Sequence, residues 1–162
     1  MQRGLHFRLD HEEVVPVLDA TGDDDALEAA VSALEENPEI FARGCETDKA
    51  WDPITCALAP AGDDAPWPAR GVIGGARALQ GDDDAAWVTH CSPEEAAEVA
   101  DYLASLSDSD FTRAYRAMPI ALRNPEYGSE ELAYAVANLT DLREFFRQAS
   151  HQRQHVVFSV WG

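Results

Sequence analysis

Few side chains in this 162-residue sequence stand at spacings that chemistry requires. The densest group is Asp48-Lys49-Ala50-Trp51-Asp52, where the only lysine of the chain lies between two carboxylates and beside an indole. Such a set can hold a polar ligand by charge and stacking. The same residue types also serve a fold: an Asp caps a helix, a Trp anchors a core, and a lone Lys pairs with a neighbouring acid. Asp48, Lys49, Trp51 and Asp52 are therefore candidate ligand- or partner-binding residues. Trp67, in a loop that holds Pro60, Pro66 and Pro68, joins them, because an exposed aromatic marks a binding surface.

Catalytic and metal-binding patterns are otherwise missing from the sequence. No Gly-x-Ser-x-Gly elbow occurs. Gly71-Val72-Ile73-Gly74-Gly75 lacks the Lys-Ser/Thr that completes a phosphate loop, and it reads as a tight turn. His151 and His155 are four apart, but the residues between them are where a helix gives way to a strand, and no Glu follows His151 to complete a zinc-protease pattern. His90-Cys91 could form half of a Cys/His nucleophile, but no third orienting residue is identifiable. The expectation is no catalytic residue, no metal ligand and no cofactor.

Charge is the strongest compositional feature. The chain carries 30 Asp+Glu against 12 Lys+Arg, a formal charge of −18. That excludes direct binding to nucleic acid, which runs on Lys and Arg releasing phosphate counterions. Residues 1–110 hold 25 acids and 6 bases, whereas residues 111–162 hold 5 acids and 6 bases. Three acidic runs adjoin glycine: Asp23-Asp24-Asp25, Asp63-Asp64 and Asp82-Asp83-Asp84. They read as exposed turns that keep a protein soluble, or as a face for a basic partner. Their spacing does not match a calcium loop.

With 46% hydrophobic residues and this length, the chain can bury a core as one domain spanning residues 1–162. It holds no apolar run near ~18 residues and no signal-like apolar N-terminus, and Cys45, Cys56 and Cys91 are odd in number and widely spaced. A cytoplasmic protein with reduced, buried thiols is expected.

The elements that must position these residues follow from periodicity. Leu5–Leu9 alternates as a strand, and Asp10 can cap a helix from His11 that Pro16 kinks or shortens. Leu27, Ala30, Val31 and Leu34 make one face of a helix ending at Asn37-Pro38. Trp51, Ile54, Thr55 and Leu58 have helical spacing, with the start at Asp48 or with Asp52 as cap and Pro53 in first position. Ala86–His90 reads as a strand leading into the capping box Ser92-Pro93-Glu94-Glu95, and the helix that follows buries Ala96, Val99, Ala100, Leu103 and Leu106. A short helix begins at Ser107 and a turn spans Asn124–Ser129. One long helix runs from Glu130 to about Gln152, and His155–Trp161 closes the chain as a strand. The class is α+β: several helices packed on a small sheet that includes the N- and C-terminal strands.

In that order, with Asp48-Lys49-x-Trp51 as its most specific piece, the chain resembles the YfbM-like family of uncharacterised bacterial proteins (domain of unknown function 1877) over nearly its whole length. The resemblance implies an α+β fold and a bacterial cytosolic protein, and supplies no reaction. Relatives often carry His where Thr55 stands and Thr-Gly where Ala59-Pro60 stands, so a chemistry built on that His would not transfer. The function expected is a non-catalytic acidic protein-binding module, interaction or immunity-like, with a basic protein partner and no membrane. The alternative is a small-molecule-binding protein or enzyme with its pocket near Asp48, Lys49 and Trp51.

Overall fold

The structure, a computed structural model, describes residues 3–82, 86–123 and 128–161. Among these, the chain runs β1 (Gly4–Leu9), α1 (His11–Asp19), α2 (Asp24–Glu36), α3 (Pro38–Ala42), β2 (Cys45–Asp48), α4 (Trp51–Leu58), α5 (Gly71–Gly74), β3 (Arg77–Ala78), β4 (Ala86–Cys91), α6 (Pro93–Ser105), α7 (Asp108–Ala117), α8 (Glu130–His151) and β5 (His155–Trp161). The five strands form one antiparallel sheet in the order β2-β1-β5-β4-β3. The first and last strands pair directly, with Leu5 opposite Ser159 and Leu9 opposite His155.

The sheet is covered on both faces, and strand alternation sorts its side chains into two cores. Leu5, Phe7, Leu9, Val88 and Val157 pack with α1, α2 and α3 through Val14, Val17, Leu27, Val31, Leu34 and Ile40. Val156, Phe158, Val160 and Cys91 pack on the other side with α4 to α8 through Ile54, Val99, Leu103, Phe111, Leu139, Leu142 and Phe146. No helix among the described residues is long and apolar enough to cross a membrane.

Caps explain most helix starts. Asp10, Ser92 and Ser107 each take part in a capping box, and Asp23 and Asn37 accept from the first-turn amides of α2 and α3. Asn37 therefore ends one helix and opens the next, and α3 was not expected from the sequence.

The Asp48–Leu58 stretch departs from the sequence reading. Neither Asp48 nor Asp52 is an N-cap. Cys45–Asp48 is the edge strand β2, and Asp48 turns out of it at φ 45°, a left-handed conformation in which Asp is enriched. The helix begins at Trp51 after Ala50, and Pro53 lies third in it rather than first. A proline costs nothing there, because the first four helical N–H groups have no intrahelical partner. Gly71–Gly74, read from the sequence as a tight turn, is one helical turn, stopped by Gly75 at φ +60°. Asp83, Asp84 and the Asn124–Tyr127 part of the expected turn lie outside the described residues.

One polar side chain sits deep in the second core. His6 is buried among Phe145, Phe146 and Phe158, and its Nε2 donates to the Val72 carbonyl at 3.0 Å. Its Nδ1 has no partner. Burial lowers its pKa to about 4, against a smaller upward effect of the Val72 bond. The unfolded chain therefore binds a proton that the folded one refuses between pH 6.5 and about 4. Stability from this group is complete above pH 6.5 and falls by about 3 kcal/mol as pH drops to about 4. Urea unfolding of His6→Leu across that range should show a pH dependence flatter by about this amount.

Candidate functional site

The turn between β2 and α4 carries Asp48, Lys49, Trp51 and Asp52 to one end of the second core. There the tertiary structure adds residues distant in sequence. Tyr134, on the second turn of α8, donates its phenol to Asp48 Oδ2 at 2.7 Å. Cys56 Sγ, one turn along α4, lies 3.7 Å from Asp52 Oδ1 as its donor. Glu131, in the first turn of α8, is only 1% exposed and accepts from the Tyr115 phenol of α7 at 2.8 Å.

Three carboxylates, two phenols and a thiol thus gather where α4, α7 and α8 meet. Burial raises the Asp52 pKa, and the Glu131 charge adds to it, against the Cys56 hydrogen bond. Burial followed by the Glu131 hydrogen bond and charge pushes the Tyr115 phenol up to about 12. Burial likewise holds the Cys56 thiol up at about 11, so it is protonated at neutral pH. Cys45 and Cys91 are raised to about 12 in the same way, and all three cysteines are free. These are the properties of inert thiols rather than nucleophiles.

Trp51 faces inward as well as outward. It is half-buried, with its ring 6.0 Å from Trp87 and 6.4 Å from Phe158. Lys49 is half-buried in the turn. Trp67 belongs elsewhere in the fold: its Nε1 donates to Glu98 of α6 at 2.9 Å, and the Arg70 guanidinium lies 5.2 Å from its ring centre. Gly71 is required beneath it, because a Cβ there would come within 2.5 Å of the indole. Two of the larger hollows are not lined by Asp48, Lys49, Trp51 or Asp52. A groove of about 600 Å³ between α6 and α8 is lined by Asp101, Thr140, Arg143, Glu144, Arg147 and His151. A cavity of about 500 Å³ beside β3 is lined by Asp63, Arg70, Arg77, Ala78, Gln80 and Trp87.

Two groups escaped the sequence reading. Glu131, Tyr134 and Tyr115 gave no local signal, since a first-turn Glu and two helical tyrosines are ordinary residues. His90 and His155, read separately as a nucleophile half and as the first residue of the last strand, are buried on neighbouring strands, with Nε2 of His90 3.0 Å from Nδ1 of His155. Strand parity carried that signal, because His90 shares a sheet face with Val88 and His155 with Val157. Among the described residues, no group of three His, Cys, Asp or Glu could hold a metal ion.

Removing the Tyr115 hydroxyl tests the acid cluster. Tyr115→Phe leaves the buried Glu131 carboxylate one donor short and should cost about 1–3 kcal/mol in chemical denaturation. A loss below about 0.5 kcal/mol would mean that Glu131 does not depend on this bond.

Comparison with known proteins adds to the geometry. The fold resembles the crystal structure of YfbM, a protein of unknown function from Escherichia coli, with a TM-score of 0.68 at 19% identity, covering 97% of this chain and 98% of that one. At that identity the likeness concerns the fold alone. No curated protein matches. The family model described as "Domain of unknown function (DUF1877)" matches residues 2–159, and the chain belongs to that family.

Proposed function

We propose that this protein is a non-catalytic acidic docking module, interaction or immunity-like, for a basic protein partner in the cytoplasm. The observation that supports it most is the meeting of acidic runs that are far apart in sequence. The Asp24 carboxylate accepts the backbone amides of Gly81 at 2.8 Å and Asp82 at 3.0 Å. A Cβ on Gly81 would come within 2.7 Å of the Gly22 carbonyl, so the two glycine turns lie against each other. Asp63 lines the cavity beside β3 together with Ala78 and Gln80. Asp23, Asp25, Asp63, Asp64 and Asp82 in these runs are exposed. Carboxylates grouped around one sheet edge sum into a directional field, which steers an oppositely charged partner and weakens with salt.

The test separates location from net charge. One variant carries Asp23→Asn, Asp25→Asn, Asp63→Asn and Asp64→Asn, sparing Asp24 because it holds the turn. Its control carries Glu36→Gln, Glu39→Gln, Asp101→Asn and Glu130→Gln, an equal change in charge at other exposed positions. Affinity capture from the native host should recover a basic protein at 50 mM salt with association on the order of tenfold faster than at 300 mM. The first variant should lose it and the control should keep it. Equal loss in both variants, or capture indifferent to salt, rules the reading out.

A small-molecule site or enzyme centred on Asp48, Lys49 and Trp51 is the second reading. It is favoured by the Tyr134 bond to Asp48 and by the raised pKa of Asp52 near buried Glu131, a pattern of perturbed acids common at functional sites. A panel of small polar metabolites should then shift the melting temperature of the wild type, and Lys49→Ala should abolish the shift. An undiminished shift in the variant places any such pocket elsewhere.

A further inference from the structure

The two buried histidines on β4 and β5 belong to a longer series of hydrogen bonds that neither functional reading uses. The Arg77 guanidinium, on the edge strand β3, lies 2.7 Å from Nδ1 of His90 and 2.6 Å from Oε1 of Glu95 on α6. Nε2 of His90 lies 3.0 Å from Nδ1 of His155, and the two rings lie edge to edge, 24° from coplanar, with centres 5.2 Å apart. The His155 ring has the ring of His11, the first residue of α1, 5.7 Å away on another side.

These contacts determine where the protons are. A guanidinium can only donate, so Nδ1 of His90 must carry a lone pair. A neutral His90 then has its proton on Nε2 and donates it to His155. Nδ1 of His155 is therefore also a lone pair, and His155 is protonated on Nε2. The pair has two basic nitrogens, and both are occupied: one by the N–H of His90, the other by the N–H of Arg77. A further proton has nowhere to go while both bonds persist. If it enters at His90 Nδ1, the new N–H confronts the guanidinium. If the shared proton then moves to His155, His90 keeps N–H on Nδ1 and the conflict with Arg77 remains. Both contacts are then charge-assisted, but the positive charge on the pair attracts across the shared proton and repels the guanidinium, so the contact that yields is the one to Arg77.

We propose that Arg77, His90 and His155 form a proton-operated latch on the edge strand β3, in which uptake of one proton by the histidine pair and retention of the Arg77–His90 bond exclude each other. Arg77 keeps its second anchor, Glu95, when it leaves. The release therefore re-aims its guanidinium toward the cavity it already lines. Strand β3 is two residues long and its backbone is bonded to β4, so the side chain can move while the strand stays paired. The surrounding charges bear on where the latch opens. Burial lowers His90 to about 4, helped by the charges of Arg77 and His155 and opposed by Glu95. His155 is lowered by burial, His11 and Arg77, and Glu94 opposes. The Glu95 carboxyl is itself held below its ordinary value, where hydrogen bonds from Arg77 and Ser92 outweigh burial. The latch is closed at neutral pH and opens in acid, below the ordinary histidine range, because burial lowers both rings. It stands apart from the docking role and from the Asp48 site.

Nitrogen-detected NMR of the whole chain decides the point. At pH 7.5 both His90 and His155 should show the Nε2–H tautomer, with Nδ1 unprotonated. On acidification His90 Nδ1 should gain its proton at the same midpoint at which the Arg77 side-chain resonances move. Arg77→Met, which vacates the lone pair, should raise the midpoint of the pair by at least about one pH unit. Arg70→Met, which removes a nearby positive charge and leaves His90 Nδ1 occupied, should move it by less than half as much. A neutral-pH Nδ1–H tautomer on His90 would overturn the latch, as would Arg77 signals that stay still while the pair charges, or equal shifts in the two variants. The wild-type measurement needs no variant to fold.

Discussion

Strand β5 is the constraint on which the rest of the structure depends. It lies in the middle of the sheet, paired to β1 on one side and β4 on the other, and His155 through Val160 are buried. A central strand with both faces covered must place every side chain in one of two cores, since alternate residues point to opposite faces. Val156, Phe158 and Val160 serve the larger helical layer, and Val157 the smaller one. A slip of one residue in register would exchange the two sets. The long helix α8 delivers the chain to the start of this strand through a turn in which Arg153 takes φ 52°. There Gln154 donates to Asp10 at 3.0 Å and accepts from Arg8 at 2.8 Å, tying the beginning of β5 to the end of β1.

Burying a strand so completely commits its polar residues as well. A buried polar group must find a partner or lose the free energy of desolvation. His155 meets that demand through His90, and His90 in turn through Arg77, so the bonds run from the sheet centre to its edge. Glu131 meets it through Tyr115 at the opposite end of the helical layer. His6 meets it with only one of its two nitrogens, which makes it the most direct link between pH and stability in the second core. The buried polar groups thus hold the sheet to its helices at particular points, while the aliphatic residues supply most of the area.

Much of the fold was legible because its signals are local. The capping boxes at Ser92 and Ser107, the stripe of Leu27, Val31 and Leu34, and the alternating apolar residues of β1 each lie within a window of a few residues. Where the reading failed, the deciding force was not local. Nothing in Cys45–Asp48 marks a strand by composition; it is one because β1 offers an unpaired edge. Of the candidate site, the sequence located Asp48, Lys49, Trp51 and Asp52 but not their surroundings. Glu131, Tyr134 and Tyr115 arrive by the packing of α7 and α8, and Trp67 is held instead against α6 by Glu98.

By itself the sequence determined the longer helices, the strands β1, β4 and β5, the place of the two terminal strands in one sheet, the family, and the absence of a familiar catalytic motif. Those depend on period, capping chemistry and residue spacing, which the chain carries at short range. Only the tertiary structure decided which charges meet. The runs at Asp23–Asp25 and Asp82 are more than fifty residues apart, yet one carboxylate binds the amides of the other turn. The two histidines are 65 positions apart and become neighbours because β4 and β5 pair in one register. Electrostatic coupling falls with distance through space rather than along the chain, so no window of sequence could contain it.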